Sequence, residues 1–161
     1  MPSDGADELS FVPELCRVRP SVTSATELLE LLAAGALDAG YVRPSFASAL
    51  LKREENFPTG LPTATPVAIP HVEAEHVLAS GLVAATLDPP LSFHEMGSND
   101  RTVAVDLVVL LLVTDPAAQV TTLGRLIAMF QRPELGVALR EVTEPAELAE
   151  VLDGWWRKTA A

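Results

Sequence analysis

Residues 103–113, Val-Ala-Val-Asp-Leu-Val-Val-Leu-Leu-Leu-Val, constrain the fold of this chain more than any other segment. Only Asp106 interrupts the apolar run, and its valines favour an extended backbone. The run is about half as long as a membrane-spanning helix must be. A strand this apolar has no polar face to leave in water, so it belongs at the centre of a sheet covered on both sides. Helical patterns before, between and after the strand patterns provide that cover. The expected fold is α/β (α+β): a single three-layer α/β/α domain, its mixed sheet flanked by helices on both sides.

The flanking patterns are specific enough to place. Ser24 and Glu27 make a capping-box pattern ahead of Leu28, Leu29, Leu31 and Leu32, which predicts a helix ending near Gly35 or Gly40. A second helix is expected over 44–55, with Pro44 in its first turn and Phe46, Ala47, Leu50 and Leu51 on its apolar face. Residues 15–18 read as an edge strand, 65–69 as a short strand and 81–87 as a longer one. Helical spacing returns over 119–130, 133–139 and 145–156, the last with one of Trp155 and Trp156 in the core. Residues 1–12 read as a flexible tail and 13–158 as one domain.

A chain of 161 residues, 48% of them hydrophobic, can bury a core without disulfides or metals. The net charge of −11 argues against nucleic acid as a partner, because a phosphate backbone needs a basic face. It keeps the protein soluble and would steer a basic protein partner. The acidic N-terminus lacks the basic-then-apolar order of a signal peptide, so a cytoplasmic protein without membrane insertion is expected. The single cysteine, Cys16, has no glycine- or serine-rich loop after it and reads as a buried structural residue.

The chemistry concentrates in one segment. Pro58-Thr59-Gly60 opens a turn-rich loop that runs on to Ala68-Ile69-Pro70-His71. Neutral imidazole is a good nucleophile near pH 7, and Pro70 restricts the backbone just before it. Gly60 would allow a tight turn and a close amide, Thr59 a hydroxyl donor, and Arg53 a planar guanidinium suited to phosphate oxygens. His71, Glu73, Glu75 and His76 also raise a metal site, and with it a metal-dependent hydrolase. Their spacing, however, is not the one that puts two histidines on one helix face. His76 reads as a helix residue beside the site or on a partner surface, and His94 as a solvated loop residue.

Taken together, Arg53-Glu54, Pro58-Thr59-Gly60 and Ala68-Ile69-Pro70-His71 resemble the enzyme IIA domains of the sugar phosphotransferase system, of the fructose–mannitol–nitrogen-regulatory class. Ala74-Glu75-His76-Val77 resembles the galactitol-type branch, and Phe93 with Glu95-Met96-Gly97 resembles the segment before the family's long strand. The resemblance covers about residues 20–155. It implies that His71 takes a phosphoryl group on Nε2 from phospho-HPr and passes it to a cysteine of enzyme IIB, which serves the membrane component enzyme IIC. It implies no metal and no cofactor, with Arg53 and Thr59 beside the phosphate. Many relatives carry a second active-site histidine where this chain has Gln119, which can donate a hydrogen bond but supplies no proton. A regulatory phosphoprotein of the nitrogen-branch type is the alternative the resemblance leaves open.

Overall fold

The computed structural model describes residues 9–98 and 100–159, and puts the long apolar run at the centre of a five-stranded sheet. In chain order the elements are β1 (Arg17–Val18), α1 (Ala25–Asp38), α2 (Phe46–Asn56), β2 (Gly60–Leu61), β3 (Val67–Ala68), β4 (Gly81–His94), β5 (Thr102–Leu112), α3 (Pro116–Phe130), α4 (Pro133–Arg140) and α5 (Pro145–Lys158). Single 3-10 turns lie at Pro13–Leu15 and Ala74–His76. The strand order is β1-β4-β5-β3-β2. β5 runs antiparallel to β4 and parallel to β3, so the sheet is mixed, as expected.

Alternate side chains of the sheet feed two cores. On one face Val83, Ala85, Val108 and Leu110 meet Leu28, Leu29 and Leu32 of α1 and Phe46 and Leu50 of α2. On the other, Leu82, Ala84, Leu107, Val109 and Leu111 meet Leu126 and Phe130 of α3, Leu135 of α4, and Leu148 and Trp156 of α5. Each of these large side chains contributes about 1.5–3 kcal/mol by leaving water. Leu107 to Leu112 are all fully buried, but Thr102, Ala104 and Asp106 are exposed. The two-sided cover expected of the whole run therefore holds only for its second half. The β4–β5 hairpin outruns the helices packed on Leu107, Val109 and Leu111.

Element ends differ from expectation for identifiable reasons. β4 continues to His94 because the pairing breaks between Thr86 and Leu91 and resumes, which takes Asp88-Pro89-Pro90 out of the ladder. His94 consequently ends a strand opposite Thr102, exposed, and is not a loop residue. In α1 the Ser24 hydroxyl accepts from the Glu27 N–H at 3.1 Å, while the Glu27 carboxylate reaches back to Thr23. Pro44 lies just outside α2, which starts at Phe46. α3 starts at Pro116, before the expected residue 119, because the Asp115 carboxylate caps it.

The expected tail is also shorter. Phe11 and Val12 are buried, Phe11 bridges to Leu82, and its N–H donates to the Asp153 carboxylate at 2.8 Å. Residues 9–12 therefore belong to the packed domain, and residues 1–8 lie outside the described residues. Cys16 is fully buried, and burial pushes its thiol up to about 11, which keeps it protonated and inert. Among the described residues no helix is long and apolar enough to cross a membrane.

Candidate functional site

His71 stands just beyond the end of β3, and hydrogen bonds to β5 and to the residue before β2 hold the chain that leads to it. The Pro70 carbonyl accepts from the Leu111 N–H at 3.2 Å, and the Ile69 N–H donates to the Thr59 carbonyl at 3.4 Å. Ile69 and Val72 are buried on either side of it, while the histidine is half-buried. Two apolar anchors thus pin a side chain that is still open to solvent.

The imidazole is held by its own backbone. Nδ1 lies 2.8 Å from the Ile69 carbonyl oxygen. A carbonyl oxygen only accepts, so Nδ1 carries the proton and donates, and Nε2 of the neutral ring keeps its lone pair. Burial lowers the His71 pKa from its ordinary value, and Arg53 lowers it further; the bond to Ile69 and the Glu73 charge oppose them. The net shift favours the neutral ring at pH 7. The site therefore presents one nucleophilic nitrogen, Nε2, at neutral pH.

Arg53 sits in the last turn of α2 and reaches this region, as its place in the sequence suggested. Its Nη1 bonds the Glu73 carboxylate at 3.1 Å, and its guanidinium stacks over the Phe57 ring at 4.6 Å. Glu73, two positions after the histidine, reads in sequence only as a metal ligand. Its pairing with Arg53 spans 20 positions and no local pattern signals it.

Thr59 takes a different position from the one expected. Its N–H and its hydroxyl both donate to the Glu54 carboxylate, at 2.9 and 2.8 Å, and the residue is buried. The hydroxyl expected to face a phosphate is thus committed to fixing the loop. Gly60 does not adopt the left-handed backbone, which among the described glycines is found at Gly40 and Gly97. What it supplies is closeness: an added Cβ would lie 2.7 Å from the His94 carbonyl oxygen. Glu54 is the latch, and although it stands within the Arg53-Glu54 pair, no local pattern in the sequence signals that role.

Gln119, near the start of α3, donates its Nε2 to the Val72 carbonyl at 2.7 Å. It therefore holds the backbone after His71. His76 lies in the short 3-10 turn, with Nδ1 2.8 Å from the Ser45 hydroxyl. Arg43 donates to the carbonyls of Glu75 and His76, so this corner ties the 3-10 turn to the start of α2. Among the described residues no three His, Cys, Asp or Glu side chains are grouped so as to hold a metal ion.

Two of these groups pull stability in opposite directions with pH. Burial raises Glu54 from 4.5 to about 7, against its two bonds from Thr59. The native state then holds a proton that the unfolded chain has released, so this contribution is full below about pH 4.5 and is lost as pH rises through about 7. His71 has the reverse sign: its contribution is full above 6.5 and is lost as pH falls through its lowered value. Glu54→Gln is expected to gain stability relative to wild type between about pH 5 and about pH 8. Urea unfolding at both pH values checks this, and a difference that stays constant would contradict the burial of Glu54.

The family model described as phosphoenolpyruvate-dependent sugar phosphotransferase system, EIIA 2, matches residues 10–154. The galactitol-specific EIIA component of Escherichia coli (strain K12) is 33% identical over 117 residues, 71% of this chain and 77% of that protein. Among solved structures, IIA mannitol from Escherichia coli superposes with a TM-score of 0.72 at 21% identity, covering 89% of this chain and 99% of that one. Enzyme IIA of the mannitol system, solved in complex with phosphorylated enzyme IIB from Escherichia coli, gives 0.71 at 22%, over 91% and 99%. The nitrogen regulatory protein IIA-Ntr from Neisseria meningitidis gives 0.67 at 22%, over 88% and 95%.

Proposed function

Because the chain belongs to the EIIA 2 family of the phosphoenolpyruvate-dependent sugar phosphotransferase system, we propose that it is a phosphocarrier acting through Nε2 of His71. Nε2 takes a phosphoryl group from phospho-HPr and hands it to a cysteine of enzyme IIB, in service of a galactitol-type enzyme IIC. The observation that carries this reading is the Nδ1–H bond to Ile69, which leaves Nε2 as the free nucleophile. In the first step the Nε2 lone pair forms the bond to phosphorus as the bond to the donor atom breaks, and the donor keeps that electron pair. In the second, a thiolate sulfur attacks phosphorus and the P–Nε2 bond breaks, which returns the lone pair to a neutral imidazole. The protein supplies positioning and charge neutralisation.

Each supporting residue then has a task. Arg53 faces the charge of the phosphoryl group. Glu54 and Thr59 hold the loop beside Ile69, and Gln119 holds the backbone at Val72. Phe57 and Val120, neighbours of the site in the chain, are 59% and 72% exposed. Apolar side chains left open beside a reactive nitrogen suit a protein partner better than a free sugar. The likeness to galactitol-specific components supports a hexitol pathway. The cytoplasm is the compartment this reading implies.

The deciding experiment incubates the protein with phosphoenolpyruvate, enzyme I and HPr, then adds a galactitol-type enzyme IIB. The expected outcome is an acid-labile phosphoryl group on this chain that moves to the enzyme IIB cysteine. Stable phosphorylation without onward transfer to any enzyme IIB would favour the regulatory role; no phosphorylation would end the carrier reading.

A further inference from the structure

The pair Arg53–Glu73 is placed to do more than fill the resting site. Arg53 is the cation beside His71, yet in the unphosphorylated protein it is already engaged by a carboxylate at 3.1 Å. Both groups lie within electrostatic range of the imidazole, with opposite effects on it. Neither is locked in: their side chains are 35% and 54% exposed, so the pair can part. Glu73 precedes the 3-10 turn, and apart from Arg53 its carboxylate has no hydrogen-bond partner among the described residues.

A phosphoryl group near pH 7 brings about two negative charges to Nε2. Arg53 is the near cation for those oxygens, and Glu73 already draws on its Nη1, so carboxylate and phosphoryl group share the charge of one guanidinium. We infer that Glu73 is a counter-ligand that competes with the phosphoryl group for Arg53 and so holds the transfer potential of phosphohistidine high. This rests on the phosphocarrier reading. Glu73 is a positioning residue in this scheme, because it acts mainly through Arg53. A carrier must accept and give away in turn, and a guanidinium without a competitor would bind its cargo too well.

Glu73→Gln keeps the shape and removes the charge at an exposed position. An exposed ion pair is weak, so the expected effect is moderate: about a threefold to tenfold shift of the phosphoryl equilibrium with HPr toward this protein. The half-life of its phosphohistidine should lengthen by a similar factor. Glu73→Asp, which retains the charge, should stay nearer wild type, and the glutamine effect should shrink in an Arg53→Ala background. The protein is phosphorylated chemically with phosphoramidate: Nε2 attacks phosphorus, the bond to nitrogen breaks, and ammonia leaves with a proton. Intact mass then follows hydrolysis, and separately exchange with unphosphorylated HPr. Unchanged half-life and equilibrium in a folded Glu73→Gln protein, or a shift toward HPr, would overturn the inference. If wild type carries the chemical label but exchanges none with HPr, the carrier reading fails, while the half-lives still judge Glu73. A histidine that phosphoramidate cannot label would overturn both.

Discussion

His71→Ala is expected to accept no phosphoryl group from phospho-HPr while remaining folded. The substitution removes the only side chain whose geometry leaves a free imidazole nitrogen at the site, namely Nε2 opposite the Nδ1–Ile69 bond. The other two histidines offer no substitute. His76 bonds through Nδ1 to the Ser45 hydroxyl, which can donate as well as accept and so does not fix Nε2 as the bare nitrogen, and His94 stands at the end of β4 opposite Thr102. The structural loss is small, because the side chain is half-buried and gives up one hydrogen bond, about 1 kcal/mol. Intact mass before and after acid treatment reads the phosphoryl group, and circular dichroism reads the fold. A variant that still gains an acid-labile phosphoryl group would remove His71 from its proposed role.

The second large effect is on stability. Ile69→Ala is expected to cost about 2–5 kcal/mol, because Ile69 is fully buried among Leu107, Leu111 and the α3 side chains and the hole cannot collapse against two packed strands. The same residue lends His71 its carbonyl, so the change should also loosen the imidazole and slow phosphorylation. Denaturant unfolding gives the first quantity, and the initial rate of labelling by phospho-HPr the second. A loss below about 1 kcal/mol would mean that the core around β3 relaxes, contrary to the close packing described. Normal labelling despite full destabilisation would mean that the Ile69 backbone, whose carbonyl the substitution retains, keeps its place without the side chain.

Much of the fold could be read from residue order because it depends on local patterns. The Ser24–Glu27 cap, the leucines of α1 and the run that became β5 are each written within one element. Reading failed where a distant contact overruled a local signal. Asp88-Pro89-Pro90 marks an end in sequence, but pairing with β5 resumes beyond it and carries the strand to His94. Leu9, Phe11 and Val12 follow a polar, acidic start and read as tail, yet Leu82 and Asp153 hold the segment in place. Gly60 reads as a turn glycine, but its need for a bare Cα arises from the backbone at His94.

The candidate site divides the same way. Residue types and spacing alone put a histidine behind a proline and an arginine-glutamate pair at the end of the preceding helix, and the resemblance set Gln119 against a second histidine of relatives. Tertiary structure decided what each of them touches. Nδ1 is bound and Nε2 is free; Thr59 serves Glu54, Arg53 holds Glu73, and Gln119 grips the Val72 carbonyl. The physical reason is range. Helices and strands follow from interactions between near neighbours in the chain, whereas the partners of Arg53 and Gln119 lie 20 and 47 positions away. Those partners meet only once the two cores have set α2, β3 and α3 against one another.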